Sequence, residues 1–279
     1  MTIETTTERA LGDPVPPAAD AYYRALDRSR FEEAVAAFAD DVVYAAPAFG
    51  AGETSPRVET VGRDALLGWF RDRGPRAWAH DLQLCVVDGP TCLLEGVSHD
   101  TADGRVLASF AASLRLAPDG AIARYLAYAT TPAVALTPAD AAGGDADADA
   151  APGDALDVLG RYFDALDGGR FEEAAACFSE DVVYSHPPYR HTGIDGDRRV
   201  QFDGRAELLA NFEARGRQSF GHRLVADVQR GPHCMVEGLV EGLPGGRDGS
   251  FLSSFTLDGD GLIRRYVSFY CEPAVRAGR

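Results

Sequence analysis

Apolar residues recur at helical spacing over residues 155–167, where Leu156, Leu159, Tyr162, Phe163 and Leu166 share one face. Gly168-Gly169 ends that helix. Residues 170–179 predict a second, short helix with Phe171, Ala174, Ala175 and Phe178 on one side. The period then changes. DVVY at 181–184 is strand chemistry, and Pro187-Pro188 stops it. GRAELLANFEARG (204–216) predicts a third helix. Four β-rich runs follow: HRLVADVQ, HCMVEGLVEG after a Gly-Pro turn, SFLSSFTL and LIRRYVSFY. The order α-α-β-α-β-β-β-β predicts an α+β domain, with helices packed on one face of a curved antiparallel sheet.

The same pattern occurs earlier in the chain. RFEEAVAAFADDVVY (30–44) and RFEEAAACFSEDVVY (170–184) agree at 11 of 15 positions. GRDALLGWFRDRG (62–74) returns as GRAELLANFEARG, GPTCLLEG (89–96) as GPHCMVEG (231–238), and DGAIARY (119–125) as DGLIRRY (260–266). Each copy has the length of a whole domain rather than of a solenoid repeat. Between them lies TPADAAGGDADADAAPGD, whose aspartates repel one another and which holds no large apolar residue. The expected organisation is a disordered tail (1–17), a first domain (18–136), a linker (137–154) and a second domain (155–275). The linker reaches on the order of 25 Å, enough for two domains to dock side by side.

Composition narrows the function. The net charge is −16, and an acidic surface repels phosphate backbones, so nucleic acid is not an expected partner. All 27 basic residues are arginine. The five cysteines have no CxxC spacing, and the N-terminus has neither a basic region nor an apolar run. No stretch approaches the ~20 apolar residues of a membrane helix. Reduced thiols and a soluble, cytoplasmic protein are expected, with no membrane partner.

The helix ending in ALDGGRFEE, the run into FSEDVVYSHP, the GR-x-x-LL-x-x-F helix and the DGDGLIRRY hairpin resemble the nuclear transport factor 2-like superfamily. That group includes SnoaL-like polyketide cyclases, ketosteroid isomerases and scytalone dehydratases. The resemblance covers both copies and implies cone-shaped domains, each a sheet curled around three helices with a pocket between. Members of the group usually dimerise through the outer sheet face. The tandem copy implies an intrachain pseudo-dimer.

The resemblance also points to residues. Ketosteroid isomerases carry their base directly before a proline at the end of the first strand, which here is His186-Pro187. Their oxyanion-binding tyrosine falls on Tyr162, and their second donor, a protonated aspartate, falls on Ser253. An imidazole of ordinary pKa about 6.5 can take a proton from a carbon beside a carbonyl. A buried tyrosine can then stabilise the oxyanion. In the first copy the same positions hold Tyr22, Ala46 and Ala112, so the base is absent there. Phe49, Gly50 and Ala51 stand where the second copy has Tyr189, Arg190 and His191.

Other residues keep two readings. His222 aligns with His80 in the copy without a base. It is either a catalytic group beside Tyr162 and Tyr184, as in the resembling dehydratases, or a helix-to-strand hydrogen bond. Arg190 either orients a ligand carboxylate or carbonyl, or pairs with Asp195 or Asp197. Glu95 and Glu237 read as strand residues that face solvent or pair with an arginine, Arg124 and Arg265 being the candidates, more than as catalytic groups, and Cys92 and Cys234 as small core residues. The histidine spacing matches no zinc pattern, and neither a phosphate loop nor a G-x-S-x-G elbow occurs. The expected function is a cofactor-independent, metal-free enzyme in the second copy, moving a proton on a small apolar organic carbonyl ligand. His186 and Tyr162 would be catalytic, with Tyr184, Tyr189, Arg190, His222 and Ser253 lining the pocket. The alternative is a non-catalytic binding or assembly module of the same fold.

Overall fold

A computed structural model describes residues 11–47, 57–130, 133, 155–187, 200–271 and 274. The chain divides into two compact units, Met1–Ala135 with Arg276–Arg279, and Leu136–Val275. The expected linker lies outside the described residues. No helix among the described residues is long and apolar enough to cross a membrane.

The first unit runs β1 (Leu11–Gly12), α1 (Pro17–Asp27), α2 (Phe31–Val35), β2 (Phe38–Pro47), β3 (Arg57–Val61), α3 (Arg63–Arg73), β4 (Trp78–Asp88), β5 (Thr91–Asp100), β6 (Val106–Leu116) and β7 (Ile122–Thr130). The second runs α4 (Ala155–Gly168), α5 (Phe171–Ala175), β8 (Phe178–His186), β9 (Val200–Asp203), α6 (Arg205–Arg215), β10 (Gly221–Arg230), β11 (His233–Leu243), β12 (Arg247–Leu257) and β13 (Ile263–Cys271). Each unit is therefore an α+β domain with three helices on a curved sheet, and the fold is present twice in tandem.

The sheet orders are β1-β4-β5-β6-β7-β2-β3 and β10-β11-β12-β13-β8-β9. Most neighbours are antiparallel, as expected. The exceptions among the long strands are parallel: β2 with β7, and β8 with β13. Side-chain period sets which residues form strands, not the direction of a partner far along the chain. A parallel pair needs a long connection, and here nearly the whole domain supplies it.

Three smaller differences follow from local chemistry. Phe178 begins β8, paired with Ile263, instead of closing the face of α5. The short strands β3 and β9 pair at the sheet edge with β2 and β8. Leu11–Gly12, within the stretch expected as a tail, pair in parallel with Leu84–Cys85. Asp13 extends that contact by accepting from the Val87 amide at 2.9 Å.

The periodicity of α1 buries Ala19, Tyr22, Tyr23 and Leu26 against the sheet, and Pro17 opens the helix where a missing N–H costs nothing. Helix α4 buries Leu159, Tyr162, Phe163 and Leu166 in the same way. Phe70 of α3 and Phe212 of α6 complete the two aromatic cores. Bulges between Leu82 and Leu84, and between Leu224 and Ala226, bend the sheets over the helices. Gly96 and Gly238 sit opposite the bulges. A Cβ at Gly96 would strike the Asp81 carbonyl oxygen and the Phe110 ring. At Gly238 it would strike the Phe251 ring and stand 2.9 Å from the Arg223 carbonyl oxygen.

Candidate functional site

Strand alternation places Tyr184 and His186, two residues apart on β8, on one face of the sheet. Tyr184 enters the aromatic core there, as does Tyr162 from α4. Their hydroxyls lie 3.2 Å apart and both residues are buried. The ring of Tyr184 stacks on Tyr266 at 5.1 Å and 10°, and lies parallel to the His186 ring at 6.2 Å and 4°.

His186 is half-buried at the strand exit. Its Nδ1 stands 2.6 Å from the Pro187 carbonyl oxygen. A carbonyl only accepts, so Nδ1 carries the hydrogen and the ring lone pair resides on Nε2. The proline that ends the strand thereby fixes the tautomer.

Ser253 is fully buried on β12. Its Oγ is 2.9 Å from the Tyr266 hydroxyl, and it donates to Ser268 Oγ at 3.2 Å. Ser253 thus touches the ring that backs Tyr184. His222 lies elsewhere in the core. Its Nδ1 is 2.8 Å from Asp167 Oδ1, its amide donates to Asp167 Oδ2 at 2.9 Å, and its ring stacks on Phe163 at 4.5 Å. The first unit repeats this tie between the last turn of a helix and a strand, with His80 and Asp27 at 2.6 and 3.1 Å. Tyr189, Arg190 and His191 lie outside the described residues.

Glu95 and Glu237 are buried rather than solvent-facing. Arg124 and Arg265 donate to Ser113 and Ser254 at 3.1 and 3.4 Å. Cys85, Cys92, Cys177 and Cys234 are buried thiols. The Cys92 thiol is pushed far up by its bond to Cys85, 3.8 Å away, and by burial. Among the described residues no group of three His, Cys, Asp or Glu side chains could hold a metal ion.

The first unit keeps the tyrosines and changes their partners. Tyr22 and Tyr44 hydroxyls are again 3.2 Å apart, and Tyr44 stacks on Tyr125 at 4.9 Å and 6°. The Tyr125 hydroxyl, however, meets Tyr23 of α1 at 2.9 Å. Phe163 aligns with Tyr23, while Ser253 and Ser268 align with Ala112 and Ala127. Burial pushes Tyr44 up to about 12 and raises Tyr22, Tyr23 and Tyr125 well above the usual phenol range.

Helix α6 adds residues that the sequence reading missed. Asn211 presents a buried Oδ1 that has no hydrogen-bond partner among the described residues. Arg215, one turn on, lies over the Phe212 ring at 5.7 Å. That ring packs on Tyr162 at 6.0 Å and on Tyr184 at 6.1 Å. The signal was the spacing Phe-x-x-Arg, kept in both copies as Phe70 with Arg73 and Phe212 with Arg215.

Two α+β domains in one chain, each curling a sheet around a tyrosine-lined core, define the class. The SnoaL-like domain family matches the chain twice, over residues 19–125 and 159–266. These matches span more than half of the chain, which therefore belongs to the SnoaL-like domain family. Among curated proteins none matches it. Solved structures similar to it include a provisionally named ketosteroid isomerase from Kribbella flavida DSM 17836, at 24% identity over 45% of this chain and 83% of that one, with a TM-score of 0.34. A second is an NTF-2 like protein of unknown function from Burkholderia xenovorans LB400, at 16% identity over 44% and 88%, TM-score 0.34. A third is a provisionally named polyketide cyclase from Sinorhizobium meliloti, at 22% identity over 40% and 94%, TM-score 0.31.

Proposed function

We propose that the second unit is a cofactor-independent acid–base catalyst acting on a small apolar carbonyl compound. The observation that carries this reading is His186, half-buried on the strand face of Tyr184, with its Nδ1 hydrogen given to the Pro187 carbonyl at 2.6 Å. That hydrogen bond turns the basic nitrogen, Nε2, into the one that receives a proton. In the reaction, Nε2 takes a proton from the carbon beside the substrate carbonyl. The electron pair left behind moves onto the carbonyl oxygen.

A hydroxyl of the Tyr162–Tyr184 pair turns to the developing oxyanion in the substrate complex. Ser253 acts at one remove: it holds Tyr266, whose ring supports Tyr184. His222 is tied to Asp167 and positions β10 against α4. The imidazolium then returns its proton to another carbon, which isomerises the substrate. In a cyclisation, the enolate carbon instead attacks a second carbonyl, whose π pair moves to its oxygen and takes the imidazolium proton. In a dehydration, the returned proton leaves with a hydroxyl group as water.

A second reading is a binding module. The observation favouring it is how closely Tyr162 is packed, with Phe178 at 4.9 Å, Phe163 at 5.0 Å and Tyr266 at 5.9 Å. One experiment separates the two. 2-Tetralone carries acidic hydrogens between a ring and a carbonyl, and their exchange in D2O is followed by proton NMR. The enzyme accelerates exchange, and His186→Ala removes about 10²–10⁴-fold of the acceleration. Equal rates with wild type and His186→Ala would overturn catalysis by His186. A thermal shift by the ketone without exchange would favour the binding module.

A further inference from the structure

The first unit lacks a base but not a cation. Arg73 ends α3 and is half-buried. Its guanidinium carbon lies 5.2 Å from the ring centroids of both Trp69 and Phe70. Those rings in turn pack on Tyr44 at 5.7 and 5.8 Å, and Phe70 on Tyr22 at 6.4 Å. The cation therefore stands on the aromatic layer that holds the paired tyrosine hydroxyls.

What sets it apart from exposed arginines such as Arg28, Arg76 and Arg115 is burial without a carboxylate. Arg24, Arg30, Arg63 and Arg71 each reach a carboxylate: Asp20, Glu33, Asp40 and Glu32. Arg73 makes neither an ion pair nor a hydrogen bond with the described residues, and its Nε is buried without a partner. Asp27, whose field reaches it, is committed to His80. A net charge of −16 leaves no shortage of carboxylates. A buried N–H without a partner costs stability unless something else supplies an acceptor. Burial also holds this guanidinium below the usual arginine range.

We propose that the first unit is a receptor site for a small aromatic carboxylate, anchored by Arg73. The guanidinium fork takes the two carboxylate oxygens through parallel N–H donors, a geometry that lysine cannot offer. The half-buried indole of Trp69 gives the flat apolar body of the ligand a flank. Ala46 stands where the second unit has His186, so the ligand is held and not turned over. This inference does not depend on catalysis in the second unit.

The test is calorimetric titration of the full chain with 2-naphthoate and with its uncharged amide. The carboxylate binds wild type, and the amide binds more weakly. Arg73→Gln weakens the carboxylate about tenfold to a hundredfold, the scale of a charge-assisted hydrogen bond. Arg73→Lys keeps the charge and loses the fork, so it lies between. It also serves if the glutamine variant melts early. Arg71→Gln, two residues away and paired with Glu32 on the surface, leaves affinity unchanged. Failure of 2-naphthoate to bind wild type overturns the proposal. So does equal affinity in wild type and both Arg73 variants, or loss of binding in Arg215→Gln instead.

Discussion

In the first unit the hydroxyl of Tyr125 is met by Tyr23, reaching down from helix α1. In the second the hydroxyl of Tyr266 is met by Ser253, reaching across from strand β12. The tyrosine rings themselves keep the same stacking, Tyr44 on Tyr125 and Tyr184 on Tyr266. Three changes move together: Tyr23 to Phe163, Ala112 to Ser253 and Ala127 to Ser268. Packing fixes where an aromatic ring lies, while a buried hydroxyl needs only some partner, from whichever element can provide one. Around the shared aromatic frame, the hydroxyl partners are what differ between the two copies.

The largest effect expected from breaking this comparison is on proton exchange. His186→Ala should lower it about 10²–10⁴-fold. Tyr22→Phe, a change at the position of Tyr162 in the unit without a base, should leave it within about twofold. A similar loss in both variants, read by NMR, would mean that the two units do not divide the work as described.

Alkaline pH should strain the first unit. Tyr44 titrates near 10 when unfolded and at about 12 when folded. Below pH 10 both states are protonated, and the stabilisation is fully present. Between pH 10 and 12 the unfolded chain ionises first, so stability falls, by about 3 kcal/mol for this residue alone. Tyr22, Tyr23 and Tyr125 are raised as well and act in the same direction. Urea unfolding across that window should show a shallower decline in Tyr44→Phe.

Smaller differences sharpen the pairing. Alanine at Gly96 or Gly238 should cost about 1–3 kcal/mol by overpacking. The cost should be larger at Gly96, where the main obstacle is a backbone oxygen rather than a ring tip. Ser253→Ala removes one partner of the Tyr266 hydroxyl and should cost about 1 kcal/mol. Phe163→Tyr, which imports the Tyr23 solution, should recover part of that loss. An additive double-mutant cycle would show that the two hydroxyl arrangements are not interchangeable.

Much of this frame was legible in the sequence. The helical spacing of Leu159, Tyr162, Phe163 and Leu166 and the alternation through DVVY placed the inner tyrosines. The repeat itself supplied the alignment of Tyr162 with Tyr22 and of His186 with Ala46. The parallel closure of β8 on β13 was not legible, because alternation carries no direction. Nor was the bond from His186 to the Pro187 carbonyl, which depends on one side-chain rotation. Arg73 was hidden by a sufficient local explanation: a cation in the last turn complements the helix dipole. Only the three-dimensional contacts reveal that it leans on Trp69 and Phe70 and lacks a carboxylate.

The parallel closure also governs the order in which the chain can be completed during synthesis. Phe38 pairs with Ile122, and Phe178 with Ile263, so the opening long strand of each sheet has no ladder partner on that edge until the final strand has emerged. Contacts that distant make folding slow and leave the aromatic interior exposed while the chain grows. Placing the two copies in tandem staggers this hazard. β7 leaves the ribosome before any of the second sheet exists, so β2 meets its proper partner with no rival copy present.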